Sequence, residues 1–106
     1  MADKILILGL SKSGTAAAEL GISLGYDVYL TESKSEVDEL QVKKLENIGV
    51  HVEFGGHSEN FIENSVLAVT SPGIPPKSEI FKRIKAKNIP IISEIEFAYI
   101  NSIHLL

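Results

Sequence analysis

Apolar positions recur along this chain with two periods, and the periods alternate. Ile5, Leu6, Ile7 and Leu8 form an unbroken apolar run between Lys4 and Gly9, the pattern of a strand buried on both faces, as in a parallel sheet. From Ser13 onward Ala16, Ala17, Leu20 and Leu24 return at helical spacing, and Gly25 supplies a helix C-terminal signal. Residues 27–31, Asp-Val-Tyr-Leu-Thr, predict a second strand. A second helix is expected over 36–47, with Val37, Leu40, Leu45 and Ile48 amid charges and a stop at Gly49. Alternation over 50–54 predicts a third strand before Gly55-Gly56, and 65–70, centred on Val66-Leu67-Ala68-Val69, a fourth.

Ser71-Pro72-Gly73-Ile74-Pro75-Pro76 then breaks every period. Adjacent prolines cannot continue a strand ladder, so a shaped loop is expected at a strand end, where ligands commonly bind. Helical spacing resumes through Ile80, Phe81, Ile84 and Ala86 and stops near Asn88; residues 89–92 predict a fifth short strand, its Pro90 marking a start or an edge. Ser93 with Glu96 is a capping-box pattern opening a last helix through Ile95, Phe97, Ala98 and Tyr99. Strand and helix alternate throughout, which predicts a three-layer α/β/α architecture around a five-stranded parallel sheet, with helices on both faces and right-handed crossovers.

Composition narrows the function classes. At 106 residues a single domain is expected, and 44% hydrophobic with 23% charged residues is ordinary for a folded one. A net charge of −4, from 14 acidic and 10 basic residues, gives no broad field for nucleic acid or an anionic membrane. The absence of cysteine removes disulfides, thiolate metal sites and a cysteine nucleophile. The first apolar run is too short for a signal peptide or a membrane helix, so a cytoplasmic protein with no membrane insertion is expected.

One turn carries chemistry. Gly9-Leu10-Ser11-Lys12-Ser13-Gly14 is nearly the G-x-G-x-x-G fingerprint, placed between a first strand and a helix as a Rossmann-like phosphate turn requires. The glycines permit a tight turn and close helix packing, and the helix N-terminus offers free N–H groups to a phosphate. Ser11 stands where the middle glycine would let a pyrophosphate approach, which counts against an NAD site. Lys12 and Ser13 read either as phosphate or base contacts, or as a solvated lysine and a helix-capping serine. Glu32, 18 residues after Gly14 at the end of the second strand, is placed to bind a ribose hydroxyl, the alternative being a surface carboxylate beside Ser33 and Lys34. His51, His57 and His104 have no metal-ligand spacing, and His57 reads as a loop residue. There is no nucleophile elbow and no Gly-x-x-x-x-Gly-Lys-Ser/Thr loop for ATP, and Glu94 and Glu96 point apart on a helix; no catalytic residue and no metal site is expected.

Four stretches together resemble a known family: the run from Ile5 through Gly14, then Phe54-Gly55-Gly56-His57, Ser71-Pro72-Gly73-Ile74-Pro75-Pro76, and Ile89-Pro90-Ile91-Ile92-Ser93-Glu94-Ile95-Glu96. In this order they are similar to the N-terminal domain of the Mur ligases of peptidoglycan synthesis, nearest to the branch that adds D-glutamate. The resemblance implies a UDP-binding domain spanning 1–106, with 93–106 as its last helix and the start of a linker to a central ATPase domain. It implies UDP-N-acetylmuramoyl-L-alanine as substrate, ATP and Mg2+ held by other domains, and an acyl phosphate attacked by the amine of D-glutamate; this stretch alone is expected to be inactive. Carried over by position, Lys12 and Ser13 face the nucleotide, Glu32, Ser33 and Lys34 hold the uridine, and Gly73 brings backbone close to the uracil and ribose. Two other classes stay open: an NAD-type or regulatory dinucleotide domain, which the turn and Glu32 also fit, and an interaction scaffold that binds no nucleotide.

Overall fold

Four consecutive apolar side chains need apolar partners on both sides. In the computed structural model, which describes residues 2–103, they find them at the middle of a sheet. β1 (Lys4–Leu8) lies between β2 (Asp27–Glu32) and β4 (Leu67–Thr70); β3 (His51–Phe54) and β5 (Ile91–Ser93) are the edges, giving the order β3-β2-β1-β4-β5 with every pair parallel. The two-residue period of a strand then sorts the run. Ile5 and Ile7 join Ala17 and Ala18 of α1 (Lys12–Ser23), Leu45 of α2 (Glu39–Asn47) and Phe97 of α5 (Glu94–Ile103). Leu6 and Leu8 join Ile62 of α3 (Glu59–Ile62) and Ile80, Phe81 and Ile84 of α4 (Glu79–Ala86) on the opposite face. All four β1 side chains are fully buried, so the expected three-layer architecture is present.

Boundaries differ where local hydrogen bonding overrides period. α2 begins at Glu39 rather than 36, because the Asp38 carboxylate accepts from the N–H groups of Leu40 (3.0 Å) and Gln41 (3.4 Å) and caps the helix there. Leu40 is 67% exposed and does not belong to the core stripe. β3 starts at His51, and β4 at Leu67, with Val66 half exposed just before it. β5 begins after Pro90, which has no N–H for a ladder but whose carbonyl accepts from the Ala68 N–H at 2.9 Å. The single turn α3 has too few residues to show a helical period; Ser58 caps it, and Lys4 Nζ donates to the carbonyls of Asn60 within it (2.8 Å) and Glu63 just after it (2.7 Å). The expected capping box forms reciprocally, with the Glu96 N–H donating to Ser93 Oγ (3.0 Å) and the Ser93 N–H to Glu96 Oε1 (3.2 Å).

Gly14 shows why the first helix must begin as it does. A methyl group there would overlap the carbonyl oxygen of Gly9 and crowd Ser11 Oγ at 3.2 Å, so α1 seats against the end of β1 only through a residue without Cβ. Backbone cannot yield as a flexible side chain would. Gly14→Ala is therefore expected to destabilise the domain by about 1–3 kcal/mol, measured by denaturant unfolding; a stability within about 0.5 kcal/mol of the parent, the range of an ordinary surface change, would contradict this packing.

Candidate functional site

The strand order reverses direction at β1: β2 and β3 build outward on one side, β4 and β5 on the other. The connections leaving β1, β2 and β4 therefore diverge at the carboxyl ends of the strands, where open α/β sheets leave a crevice. A cleft of about 530 Å³ occupies that place. One wall is the turn after β1, with Gly9 and Ser11; the second is the end of β2, from Thr31 to Lys34; the third is the loop after β4, with Ser71, Gly73, Ile74 and Pro75. Gly9 adopts φ +101, a left-handed backbone that favours glycine, and its N–H donates to the Thr31 carbonyl at 2.9 Å.

Glu32 ties two of these walls together. Its Oε1 accepts from the Leu10 N–H at 2.8 Å, and its Oε2 accepts from the Lys34 N–H at 3.0 Å and, more loosely, from the Ser33 hydroxyl at 3.4 Å. Burial would push its carboxyl up, but the N–H groups of Lys34 and Leu10, the Ser33 hydroxyl and the Lys34 charge outweigh it and hold the group below its ordinary value. Glu32 is thus ionised at neutral pH. A carboxylate has about four lone-pair sites, so Oε1 retains acceptor capacity toward the cleft.

The structure separates the six expected site residues. Glu32, Ser33, Lys34 and Gly73 line the cleft; Lys12 and Ser13 do not. Lys12 is exposed on the first turn of α1, and Ser13 borders a second cavity between α1 and α5. The helix-capping serine is Ser11, not Ser13: its backbone is extended (φ −111, ψ 174) and its Oγ accepts from the Gly14 N–H at 3.0 Å. Ser11 and Ser13 hydroxyls lie 3.4 Å apart. The residue that departs from the glycine fingerprint is therefore the one that caps the helix and lines the cleft. The N–H groups of Lys12 and Ser13, in the first turn, have no intrahelical acceptors.

Four polar lining residues were not assigned to the site from the sequence: Thr31, His57, Ser78 and Glu79. Gly55 and Gly56 carried the signal for His57. Their positive φ values, +82 and +147, turn the chain back after β3, and their N–H groups donate to the Lys34 carbonyl (2.9 Å) and the Glu32 carbonyl (3.3 Å). His57 Nδ1 then meets Thr31 Oγ1 at 2.7 Å, while that hydroxyl donates to Glu53 Oε2 at 2.9 Å. With its single proton directed to Glu53, Thr31 accepts from Nδ1–H, a tautomer assigned from the network that leaves Nε2 as an acceptor. Burial lowers the His57 pKa, Arg83 adds to the effect, and Glu53 and Glu32 oppose it; the ring is neutral at pH 7. Ser78 caps α4 without a side-chain hydrogen bond, and its Oγ is buried without a partner. Among the described residues no three acidic or histidine side chains converge as metal ligands, and no helix is long and apolar enough to cross a membrane; His104 lies outside the described residues.

Comparison with known proteins bears on this geometry. The family model of the Mur ligase MurD-like N-terminal domain matches residues 3–93. UDP-N-acetylmuramoylalanine--D-glutamate ligases of Cytophaga hutchinsonii and Shouchella clausii are 46% and 40% identical over 99 residues. Each alignment covers 93% of this chain and 22% of the relative, so the chain spans about a fifth of the length of these relatives. Among solved structures, the UDP-N-acetylmuramate-alanine ligase of Thermotoga maritima superposes with TM-score 0.72 at 22% identity, over 89% of this chain and 21% of that one. A pseudomurein peptide ligase type C from Methanothermus fervidus gives TM-score 0.73 at 21% identity, over 91% and 20%. A precorrin-2 dehydrogenase shares the fold more distantly, with TM-score 0.55 at 10% identity, over 85% and 43%. With the family model covering nearly the whole described chain, this protein belongs to the Mur ligases as a MurD-like N-terminal domain.

Proposed function

We propose that this domain holds the UDP end of UDP-N-acetylmuramoyl-L-alanine for a ligase that adds D-glutamate to it in peptidoglycan synthesis. The observation that carries the reading is the cleft at the topological switch point, which gathers Glu32, Ser33, Lys34 and Gly73 between the turn after β1 and the loop after β4. In this reading the Glu32 carboxylate accepts from a donor of the uridine, and Lys34 lies along its ring or ribose. Gly73, whose added Cβ would approach only Ser71 Oγ at 3.9 Å, leaves room for backbone to face the base. Phosphates extend toward α1, where the N–H groups of Lys12 and Ser13 have no intrahelical acceptors and the Ser13 hydroxyl would turn from Ser11 to donate.

The reading assigns the chemistry elsewhere. The turn after β1 lacks the Gly-Lys-Ser/Thr ending with which a phosphate loop holds a nucleotide triphosphate and its Mg2+. ATP and Mg2+, the acyl phosphate and the D-glutamate amine belong to polypeptide outside this stretch, and the site described here is a cytoplasmic substrate anchor without a catalytic residue. A dinucleotide site is disfavoured because Ser11, engaged as the cap of α1, occupies the position that a pyrophosphate-binding glycine would need.

Calorimetric titration of the chain with UDP and with NAD is expected to give binding with UDP alone. Lys34→Ala, which removes an exposed side chain with no intramolecular hydrogen bond of its own, is expected to weaken UDP roughly three- to tenfold at low salt, the range of an exposed to partly buried charge contact, while leaving unfolding unchanged. Binding of NAD in preference to UDP would sink the assignment. Glu32 needs a separate measurement, because it also braces the loops. Its folded-state pKa is depressed, so its contribution to stability is present above the ordinary value of 4.5 and is lost as pH falls through the folded value. The stability difference between the parent and Glu32→Gln is therefore expected to be largest near pH 7 and to shrink below pH 4.5; a difference independent of pH would contradict the bracing role.

A further inference from the structure

Beside the cleft, α1 and α5 leave a second cavity of about 430 Å³ between them. Its walls are apolar: Ala16, Ala17 and Leu20 from α1, Phe97 and Ala98 from α5, and Pro72 from the loop after β4. Glu94, the first residue of α5, is the one charged side chain in this lining among the described residues. It is 6% exposed, and neither carboxylate oxygen has a hydrogen-bond partner among them. Burial pushes its carboxyl above the usual range; the nearby Ser13 hydroxyl offsets part of that without reaching hydrogen-bond geometry with either oxygen. Helix capping does not explain the acid, since Glu96 supplies the capping box. A buried, unpaired carboxyl in apolar surroundings either takes up a proton or is held ionised by a cation that reaches it.

The rim points to what that is. Ile95 borders the cavity and is 73% exposed, and Tyr99, one helical turn further along α5, is 66% exposed. Apolar surface of this kind around a narrow charged recess suits a polypeptide more than a free ion. We propose that this recess receives a basic side chain, a lysine ammonium or arginine guanidinium on its aliphatic stem, presented by a polypeptide segment packed across α1 and α5. The methylene stem fits the alanine, leucine and phenylalanine walls, and the head forms a charge-assisted pair with Glu94. The matched stretch is 22% of the length of the relatives, and the polypeptide outside it is the source the proposal names for that segment. The inference does not rest on the uridine reading, whose base and ribose contacts, Glu32 to Lys34 and Gly73, lie in the other cleft; Ser13 alone borders this cavity and also stands near the proposed phosphate path.

The test is an NMR titration of the chain with capped lysine (N-acetyl-lysine methylamide), capped norleucine and n-butylamine. Capped lysine is expected to give saturable shifts confined to Ala16, Ala17, Leu20 and residues 94–98, with an affinity roughly tenfold above capped norleucine, and Glu94→Gln is expected to abolish that preference. Should Glu94→Gln fail to fold, the parent protein still decides: the carboxyl carbon of Glu94 is expected to titrate at lower pH with capped lysine present and not with capped norleucine. Equal affinity for lysine and norleucine, or no saturable shift with any probe, overturns the proposal. Butylamine binding as tightly as capped lysine would overturn its polypeptide part, and shifts at residues 32–34 instead would place the cation in the other cleft and overturn it as well.

Discussion

Burial of β1 on both faces is the constraint on which the rest of the structure depends. Ile5 through Leu8 are inaccessible to water, which requires a strand on either side and a helical layer above and below. A chain meeting that requirement must fill one side of β1 with β2 and β3, return, and fill the other with β4 and β5. The return separates the connections leaving β1, β2 and β4. Their divergence opens the cleft, so the same four side chains that hold the core together also set where a ligand can enter.

The cleft is held open by polar bonds rather than by packing. Glu32 joins the turn after β1 to the loop after β2. Gly55 and Gly56 join the loop after β3 to that same region, and the Thr31, Glu53 and His57 network holds the imidazole at its edge. Arg83 of α4 donates to the His57 carbonyl at 2.7 Å and pairs with Glu59 of α3 at 3.0 Å, fastening the loop to the neighbouring helix of the same layer. Apart from the local bond between Glu32 and the Lys34 N–H, each contact spans more than 20 residues of sequence, and together they arrange their partners before a ligand arrives, which reduces the ordering that binding must impose.

The architecture was legible in the sequence because its signals are periodic and local. The apolar run of β1, the alanines of α1 and the Ser93 and Glu96 capping pair each declare themselves within a few residues. The start of α2 was misplaced because Val37 and Leu40 fit a helical stripe, whereas the Asp38 cap, a single side chain, sets the boundary. α3 was invisible to a period of 3.6 because it is one turn long. At the site, Glu32 was readable from its position at the end of β2, whereas Ser33, Lys34 and Gly73 came from the family resemblance alone; all four line the cleft. His57 was not, because its place depends on the backbone of Gly55 and Gly56 and on Thr31 from another strand. Ser11 was read as a lost glycine, yet its hydroxyl caps α1. The unpaired state of Glu94 has no sequence signature at all: the motif contains two acids, and only the packing of α1 against α5 distinguishes the one that caps from the one that is buried.

The central claim is that the cleft at the carboxyl ends of β1, β2 and β4 receives the uridine. Intermolecular nuclear Overhauser effects between UDP and the isotope-labelled chain test it most directly. The account predicts contacts from the uracil and ribose protons to Ser33, Lys34 and Gly73, and none to Phe97 or Ala98. Uracil contacts to the α1 and α5 cavity, or to the outer face of α2, would contradict it.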